Sequence, residues 1–277
     1  MKLLSSLFII TLVLTLSACT GAMHKLPEVS DAEVKQVYKE SLTHKTVFIN
    51  QGRSGKKNSV LVKNISTRLL KHIRPLCDHT GYESCFFQVV YKGKDTINAI
   101  ASENNKITIY RGLIDLLKSE DEIAAVIAHE MAHHLSSHNK KTTQNAMAGS
   151  FVAGMLAAAV KANDPYYNPA TDPAVQNSMN LGAAVGALSY SREEEREADL
   201  LGAYLISRAG YDLKKAERVL WLLYTMGKSH GNNDNRSSFG DSHPAGPERI
   251  ASWRKAIKEI RSNKSKLPYK AEKNTGK

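Results

Sequence analysis

The chain has 277 residues, of which 42% are hydrophobic and 23% are charged, and its formal net charge is +11. This composition is ordinary for a globular protein, so it excludes a chain too polar to build a core and fits one sizeable domain with short appendages. Between Arg254 and Lys277 there are nine Lys and Arg against two Glu. This basic end is either a solvated, partly disordered tail or a surface that contacts anionic headgroups.

The N-terminus has the features of an export signal. Lys2 precedes an apolar run that ends at Leu16 and is followed by small residues, a pattern too short to predict a spanning helix. The run ends in Leu-Ser-Ala-Cys19, which resembles the bacterial lipobox. Residues 1–18 are then a signal peptide, and Cys19 is a lipidated mature N-terminus that anchors the protein to a membrane. Cleavage near Ala18 without lipidation is the alternative.

Export also bears on partners and on location. Thr20 follows Cys19 where inner-membrane retention is associated with Asp, so the resemblance favours the outer membrane, facing the periplasm, over the inner membrane. Nucleic acid is not an expected partner of an exported chain. Two cysteines remain after Cys19, an even pair in an oxidising compartment, and we expect a Cys77–Cys85 disulfide in preference to two independent thiols.

The rest of the chain divides into three parts. Residues 19–30 form the lipidated tether, residues 31–262 one domain, and residues 263–277 a basic tail that we expect to be disordered. The domain opens with helical spacing over 31–42 and again over 60–73, with a polar loop at 50–57 between them.

Three short segments after Pro75 favour β-structure. Residues 86–91 and 96–101 are rich in β-branched and aromatic side chains, and Ile107 and Ile109 alternate with polar neighbours. These segments predict a small antiparallel sheet, and nearly everything from there to about residue 260 is helical. The order of helices, sheet and helices predicts an α+β domain. Two stretches rich in Ala and Gly, 146–162 and 181–188, either pack closely in the core or form a mobile, inserted hairpin.

The segment from Ser119 to His133 predicts a buried helix that carries a metal site. Ser119 and Glu122 form a capping box, and no Pro or Gly follows. The pattern His129-Glu130-x-x-His133 places two imidazoles about 40° apart on one helix face, so both can reach one ion. Glu130 lies about 100° from His129, where it can hold the water for metal-assisted amide hydrolysis.

A catalytic zinc site needs a third protein ligand, and a second helix supplies it. His134 and His138 face other directions on the first helix, so neither is expected to bind the metal. A helix from Ser191 to Ala209 presents Glu195 on the same face as the small residues Ala198 and Gly202. The remaining glutamates of this segment point away or to one side: Glu193, Glu194 and Glu197.

Asp199 follows Glu195 by one helical turn on this face. A carboxylate in that position can accept a hydrogen bond from a ligand histidine and so fix its tautomer and ring orientation. Asp199 is therefore expected beside the metal without binding it.

Four motifs together resemble one known family, the HtpX/BepA/Oma1-type zinc metallopeptidases, which are gluzincins related to the prenyl-protein protease. They span about residues 96 to 250 in this order: Asn98-Ala99-x-Ala101 with Gly112-Leu113, His129-Glu130-x-x-His133, Glu195-x-Glu197-Ala198-Asp199-x-x-Gly202, and His243-Pro244 with Arg249-Ile250. With its lipobox and single domain, the chain is most similar to the small periplasmic lipoprotein members.

The resemblance implies a mostly helical, zincin-like domain with the small sheet beside the helix of His129 and His133. It implies a zinc-dependent endopeptidase with one Zn²⁺ per subunit on His129, His133 and Glu195. Glu130 would act as the general base and then protonate the leaving nitrogen. The expected partners are polypeptides of the envelope, by analogy misfolded or misassembled ones; the sequence gives no oligomeric state.

The resemblance also implies roles outside the metal ligands. The strand around Asn98, Ala99 and Ala101 would pair with an extended substrate, unless it is merely structural. His243 would cap the metal and hold the enzyme latent, unless it only precedes the last helix. Arg249 would pair with Asp199 or stabilise the oxyanion.

Two other classes of function remain open at this point. One is an envelope chaperone or assembly factor whose zinc is purely structural, with His243 as the fourth ligand. The other is a zinc amidase that acts on the cell wall.

Overall fold

The computed structural model describes residues 22–46, 52–160, 167–186, 190–229 and 239–272. The predicted signal peptide and the predicted lipidation site Cys19 lie outside these residues. The helices and strands of the described part are, in chain order, α1 (Asp31–Thr43), α2 (Gly55–Leu70), α3 (Arg74–Thr80), β1 (Gln88–Lys92), β2 (Ala99–Ser102), β3 (Lys106–Tyr110), α4 (Arg111–Leu116), α5 (Glu120–Leu135), α6 (His138–Val160), α7 (Pro173–Gly186), α8 (Arg192–Arg208), α9 (Leu213–Ala216), α10 (Arg218–Ser229), α11 (Phe239–Ser242) and α12 (Pro247–Ser262).

This architecture is mostly helical with one small sheet, so the α+β prediction is confirmed. In the described part of the chain, none of the helices combines the length and apolar character that crossing a membrane requires. Helix α2 begins at Gly55, inside the segment predicted as a loop, because the Ser54 hydroxyl caps it by accepting from the Lys57 N–H.

The sheet differs from the prediction in one respect. Its strand order is β1-β3-β2, with β3 antiparallel to β2 but parallel to β1. In a simple antiparallel meander, β1 would pair with β2 and β2 with β3. Instead the chain turns back through Asn104 and Asn105, both in the left-handed region, and inserts β3 between the first two strands.

Helix α5 runs through the centre of the domain. Every residue from Glu122 to Leu135 is buried, as the apolar character of this segment predicts. Helix α8 packs against it at Gly202, where an added Cβ atom would lie 3.3 Å from the His129 backbone nitrogen. The absence of a side chain at Gly202 therefore lets the two helix backbones approach at the position of a predicted ligand.

The described parts of the two stretches rich in Ala and Gly lie in α6 and α7, which pair with each other instead of entering the core. An added Cβ atom at Gly182 would lie 2.2 Å from the Gly149 carbonyl oxygen, so the two backbones are in direct contact. Several large apolar side chains of the pair are exposed: Met147, Phe151, Met155, Leu156, Val160, Leu181 and Val185.

Both segments predicted to be outside the domain are packed against it where the structure describes them. The Lys25 N–H donates to the Tyr269 carbonyl oxygen and the Ala271 N–H donates to that of Met23, so residues 23–25 and 269–271 lie side by side. Leu267 packs against the hydrophobic core. The prediction of a disordered tail is therefore wrong for residues 263–272, because their backbone hydrogen bonds are made within the protein.

Cys77 and Cys85 are joined by a disulfide, with their Cα atoms 5.8 Å apart. This bond joins the middle of α3 to the segment that precedes β1.

Candidate metal centre

Four buried side chains from three parts of the chain converge beside α5. His129 and His133 lie on α5, Glu195 lies in the first turn of α8, and His243 directly follows α11. One nitrogen or carboxylate oxygen of each lies within 4.8 Å of those of the other three. We call these four residues the ligand cluster.

Distances inside the ligand cluster match the spacing of donors around a metal ion. His129 Nε2 lies 3.0 Å from His133 Nε2, and each nitrogen lies 3.4 Å from a carboxylate oxygen of Glu195. Ligands of a tetrahedral site with bonds of about 2.0–2.2 Å lie roughly 3.4 Å from one another. The three side chains predicted as ligands therefore fit a metal with nitrogen and oxygen donors.

His243 occupies the remaining corner of the ligand cluster. Its Nδ1 atom lies 3.2 Å from His129 Nε2 and 2.9 Å from Glu195 Oε1. The residue is held there from both sides, since Arg249 Nη1 donates to the His243 carbonyl oxygen at 3.2 Å and the His243 N–H donates to that of Phe239 at 3.0 Å. His243 could thus complete a four-ligand site.

Glu130 lies next to the ligand cluster with its side chain fully buried. Neither carboxylate oxygen accepts a hydrogen bond from the described residues, and His243 Nε2 lies 3.3 Å from Glu130 Oε1. A buried carboxylate without a donor indicates that something else satisfies it in the working protein. A water molecule held at a metal ion would do so.

Asp199 and Arg249 support the His129 side of the cluster. His129 Nδ1 lies 3.1 Å from Asp199 Oδ1, the contact predicted from the helix face. Arg249 forms a two-pronged pair with Asp199 at 2.8 Å and 2.8 Å, and its Nη1 lies 2.5 Å from Glu195 Oε2. Of the two roles expected for Arg249, the observed contacts match the pairing with Asp199.

Neighbouring charges shift the pKa values of His129 and Glu195 in favour of their charged forms, although both side chains are buried. Burial alone would lower the pKa of His129, but the carboxylates of Glu195 and Asp199 raise it to about 9. Burial would raise the pKa of Glu195, but Arg249, His243 and His129 hold it well below its usual range. Glu195 is therefore ionised and ready to bind a cation.

His133 has a different environment. Burial and the neighbouring His129 and His138 lower the pKa of His133 well below its usual value, although Glu195 opposes this effect. Its ring is therefore neutral and has a lone pair for a metal. Tyr190 stacks on this ring with 3.8 Å between ring centroids, and its hydroxyl donates to Asn139.

His138 and Glu197 contact the site in a way that the helical positions did not indicate. The prediction placed His138 on the opposite side of the α5 helix, but α5 ends at Leu135 and Ser137 adopts a φ of 55°, so the chain turns back and brings His138 Nδ1 to within 3.0 Å of His133 Nδ1. Glu197 does point away from Glu195, as predicted, yet it is buried and lies 3.0 Å from His138 Nε2.

The predicted substrate strand lies at the edge of the sheet. The Asn98 carbonyl oxygen accepts a hydrogen bond from the Tyr110 N–H on β3, so the backbone groups of Asn98 face the sheet. Because the direction alternates along a strand, the backbone groups of Ala99 and Ala101 face away from the sheet. The Ala99 N–H donates to the Asn98 side chain and the Ala101 carbonyl accepts from Asn139 at 3.4 Å. The edge is therefore formed by the backbone of Ala99 and Ala101, and the Asn98 side chain occupies the Ala99 N–H.

Helix α11 connects this edge to the ligand cluster. The Phe239 N–H donates to the Ile97 carbonyl oxygen at 2.8 Å, directly before β2, and His243 follows four residues later. The same short segment therefore contacts both the sheet edge and the predicted metal ligands.

A buried helix with the pattern His-Glu-x-x-His, a glutamate from a second helix and an adjacent small sheet define the class of zincin-like metallohydrolases. The model of peptidase family M48 matches residues 66–257, and the chain belongs to that family.

Named relatives agree with this assignment. The chain is 29% identical to the mitochondrial metalloendopeptidase OMA1 of Schizosaccharomyces pombe over 158 residues, which is 56% of this chain and 42% of that protein. It is 29% identical to the metalloprotease LoiP of Escherichia coli over 161 residues, 58% of each chain. It is 31% identical to a putative beta-barrel assembly-enhancing protease of Vibrio cholerae over 121 residues, 42% of this chain and 24% of that protein.

These matches span less than two thirds of each relative, between 24% and 58% of its length. The family match includes the residues that form the ligand cluster, since it begins before α5 and ends within α12.

Proposed function

We propose that this protein is a zinc-dependent endopeptidase of the bacterial envelope. The observation that carries the proposal is the convergence of His129, His133 and Glu195 beside a buried Glu130 that accepts no hydrogen bond from the described residues. Two imidazole nitrogens and one carboxylate oxygen are a donor set that zinc uses in catalytic sites. When bound there, zinc supplies a Lewis acid that acidifies water and polarises the scissile carbonyl.

The chain's own residues divide the remaining work. Glu130 takes a proton from the attacking water and later delivers it to the leaving nitrogen. Asp199 holds the His129 ring by its Nδ1 atom, and Arg249 holds Asp199. The open edge of Ala99 and Ala101 would align an extended substrate by backbone hydrogen bonds, which requires the contacts of Asn139 and Asn98 at that edge to be released.

The proposed location rests on the N-terminal sequence. Residues 1–18 would direct export, and acylation of Cys19 would anchor the protein to the outer membrane on its periplasmic side. The Cys77–Cys85 disulfide supports an oxidising compartment. Substrates would be polypeptides of that compartment, and the Vibrio cholerae relative named for beta-barrel assembly suggests misassembled envelope proteins among them.

Glu130→Gln tests the proposed activity. In the purified full chain we expect this variant to retain its metal and to lose about two to four orders of magnitude in the rate of casein degradation, because the amide cannot accept the proton of the water. Glu120→Gln, an exposed position at the start of the same helix, is the matched control. Casein degradation by Glu130→Gln at the wild-type rate would defeat the assignment.

The substrate proposal has its own experiment. Comparison of the envelope proteome of cells that express the wild-type protein or Glu130→Gln should show polypeptides that accumulate only with the variant. Accumulation of cell-wall fragments, with no change in proteins, would favour an amidase.

One observation favours a second candidate function, an assembly factor with a structural metal. His243 lies where a fourth protein ligand would close the site, and structural zinc sites have four protein ligands. In that case the bound metal should stabilise the protein, and casein should remain intact whether or not a chelator is present.

A further inference from the structure

A continuous set of buried polar contacts joins the N-terminal segment to one predicted metal ligand. His133 Nδ1 lies 3.0 Å from His138 Nδ1, and His138 Nε2 lies 3.0 Å from Glu197 Oε2. The other oxygen, Glu197 Oε1, lies 2.6 Å from His24 Nδ1 and accepts from the His24 backbone N–H at 2.9 Å. We call these four residues the His24 relay.

The His24 relay is shielded from water along its whole length. None of the four side chains exceeds 2% exposure, and Glu197 and His138 have none. A buried carboxylate is costly unless donors surround it, and Glu197 receives three, two from residue 24 and one from α6. The N-terminal segment therefore supplies two of the three hydrogen bonds that offset the cost of burying the Glu197 carboxylate.

The order of donors and acceptors along the relay follows from its two ends. His133 presents Nε2 to the ligand cluster, so in a metal-bound protein its neutral ring has its proton on Nδ1. That proton can only be donated to His138 Nδ1, which must then be an acceptor. His138 therefore has its own proton on Nε2, where the Glu197 carboxylate accepts it.

We propose that His138, Glu197 and His24 are positioning residues that hold His133 in the ring orientation and tautomer required for metal binding, and that docking of the N-terminal segment completes this arrangement. The inference rests on the proposed metal site and extends it. Each ligand histidine then has a carboxylate behind it: Asp199 contacts His129 directly, and Glu197 acts on His133 through His138.

A purely structural role for the same contacts would give a different result. As a structural cluster, the residues would stabilise the packing of the N-terminal segment without setting the proton positions on His133 or the strength of metal binding. The two possibilities are therefore separated by the tautomers of the rings and by metal affinity, and not by folding stability.

The first measurement uses the wild-type full chain loaded with Zn²⁺. Long-range ¹H–¹⁵N spectra of the histidine rings should show His138 with its proton on Nε2 and His133 with its proton on Nδ1. A His138 ring with its proton on Nδ1 alone would overturn the proposal, and this outcome does not depend on the folding of any variant.

The second measurement compares zinc affinity by competition with a chelator in Glu197→Gln, His138→Ala and His24→Ala. We expect Glu197→Gln and His138→Ala to bind zinc about 10- to 100-fold more weakly, and His24→Ala to show a smaller loss because its backbone N–H still donates to Glu197. Glu193→Gln, exposed on the same helix as Glu197, is the matched control and should bind zinc like the wild type.

The outcomes distinguish this proposal from the proposed function. Wild-type protein that binds no zinc would defeat the metal site itself. Tight zinc binding by the wild type and by all three relay variants alike would defeat only the His24 relay.

Discussion

His243 occupies the position of the ligand cluster that a catalytic zinc site would leave open for water or substrate. Its Nδ1 atom faces His129 and Glu195, and its Nε2 atom faces Glu130. A single side chain thus contacts the predicted ligands and the predicted general base together. If it binds the metal reversibly, the enzyme would be latent until α11 moves.

His243→Ala should raise the rate of casein degradation. If His243 covers the site in about 90% of molecules, its removal should raise the rate about tenfold, because nearly all molecules then present a free coordination position. His72→Ala, a half-exposed histidine in the turn that follows α2, is the matched control. A variant that loses both metal and activity would instead identify His243 as a permanent ligand.

The predicted ligands come together because short-range geometry determines their directions. The i, i+4 spacing of His129 and His133 and the helix face of Glu195 need only a regular helix. The contacts of Glu197 could not be predicted in this way, because its partner His24 is 173 residues away in sequence. His138 lies outside the ligand cluster, as predicted, but its contact with His133 was not foreseen because α5 ends before it.

The pairing of α5 with α8 sets the distance between the two ligand histidines and Glu195. At Gly202 an added Cβ atom would lie 3.3 Å from the His129 backbone nitrogen, closer than most side chains approach a neighbour, and in ordinary contact, at 3.4–3.5 Å, with other backbone atoms of Ala128 and His129. A larger residue must therefore separate the helices at the level of the metal site. The contact is between backbones, so rotation of a side chain cannot relieve it.

Gly202→Val should weaken zinc binding and reduce stability. We expect the free energy of unfolding of the metal-free protein to fall by about 1–3 kcal/mol from overpacking, with a loss of zinc affinity as Glu195 moves away from the histidines. Chemical denaturation and chelator competition measure the two effects. Gly227→Val is the control, because nothing lies within 4 Å of an added Cβ atom there; equal effects at both positions would contradict the explanation.

Elements were predictable where the signal is local. The bounds of α8 follow from the Ser191 capping box and from Gly210, which has a φ of 75°. The three strands were also predicted, but the parallel pairing of β1 with β3 was not. Strand order depends on contacts between segments that are distant in sequence, and the pattern within each strand does not reveal them.

At the scale of the whole molecule, both ends of the described chain are packed together on the domain. Residues 269–271 pair with residues 23–25, and Asn263 donates from Nδ2 to the Tyr204 hydroxyl at 2.9 Å and to the Leu267 carbonyl at 2.7 Å. The basic charge of this end indicated a solvated tail, because composition does not reveal the hydrogen bonds that a segment finds in the folded protein.

Two truncations test this part of the fold. Deletion of residues 263–277 should lower the thermal unfolding temperature below that of a chain shortened by residues 273–277 alone, because it also removes the packing of Leu267 and the partner of residues 23–25. Scanning calorimetry of the two shortened chains measures the difference. Equal unfolding temperatures would show that residues 263–272 contribute nothing to stability.

If Cys19 is acylated as proposed, the contacts of His24 with Glu197 limit how far the domain can lie from the membrane. Only four residues lie between Cys19 and His24, and the five Cα–Cα steps that join them span at most roughly 18 Å when the chain is fully extended. The catalytic domain would then stay close to the membrane surface. Polypeptides that stall close to the membrane would be within its range, and those that diffuse through the middle of the compartment would largely escape it.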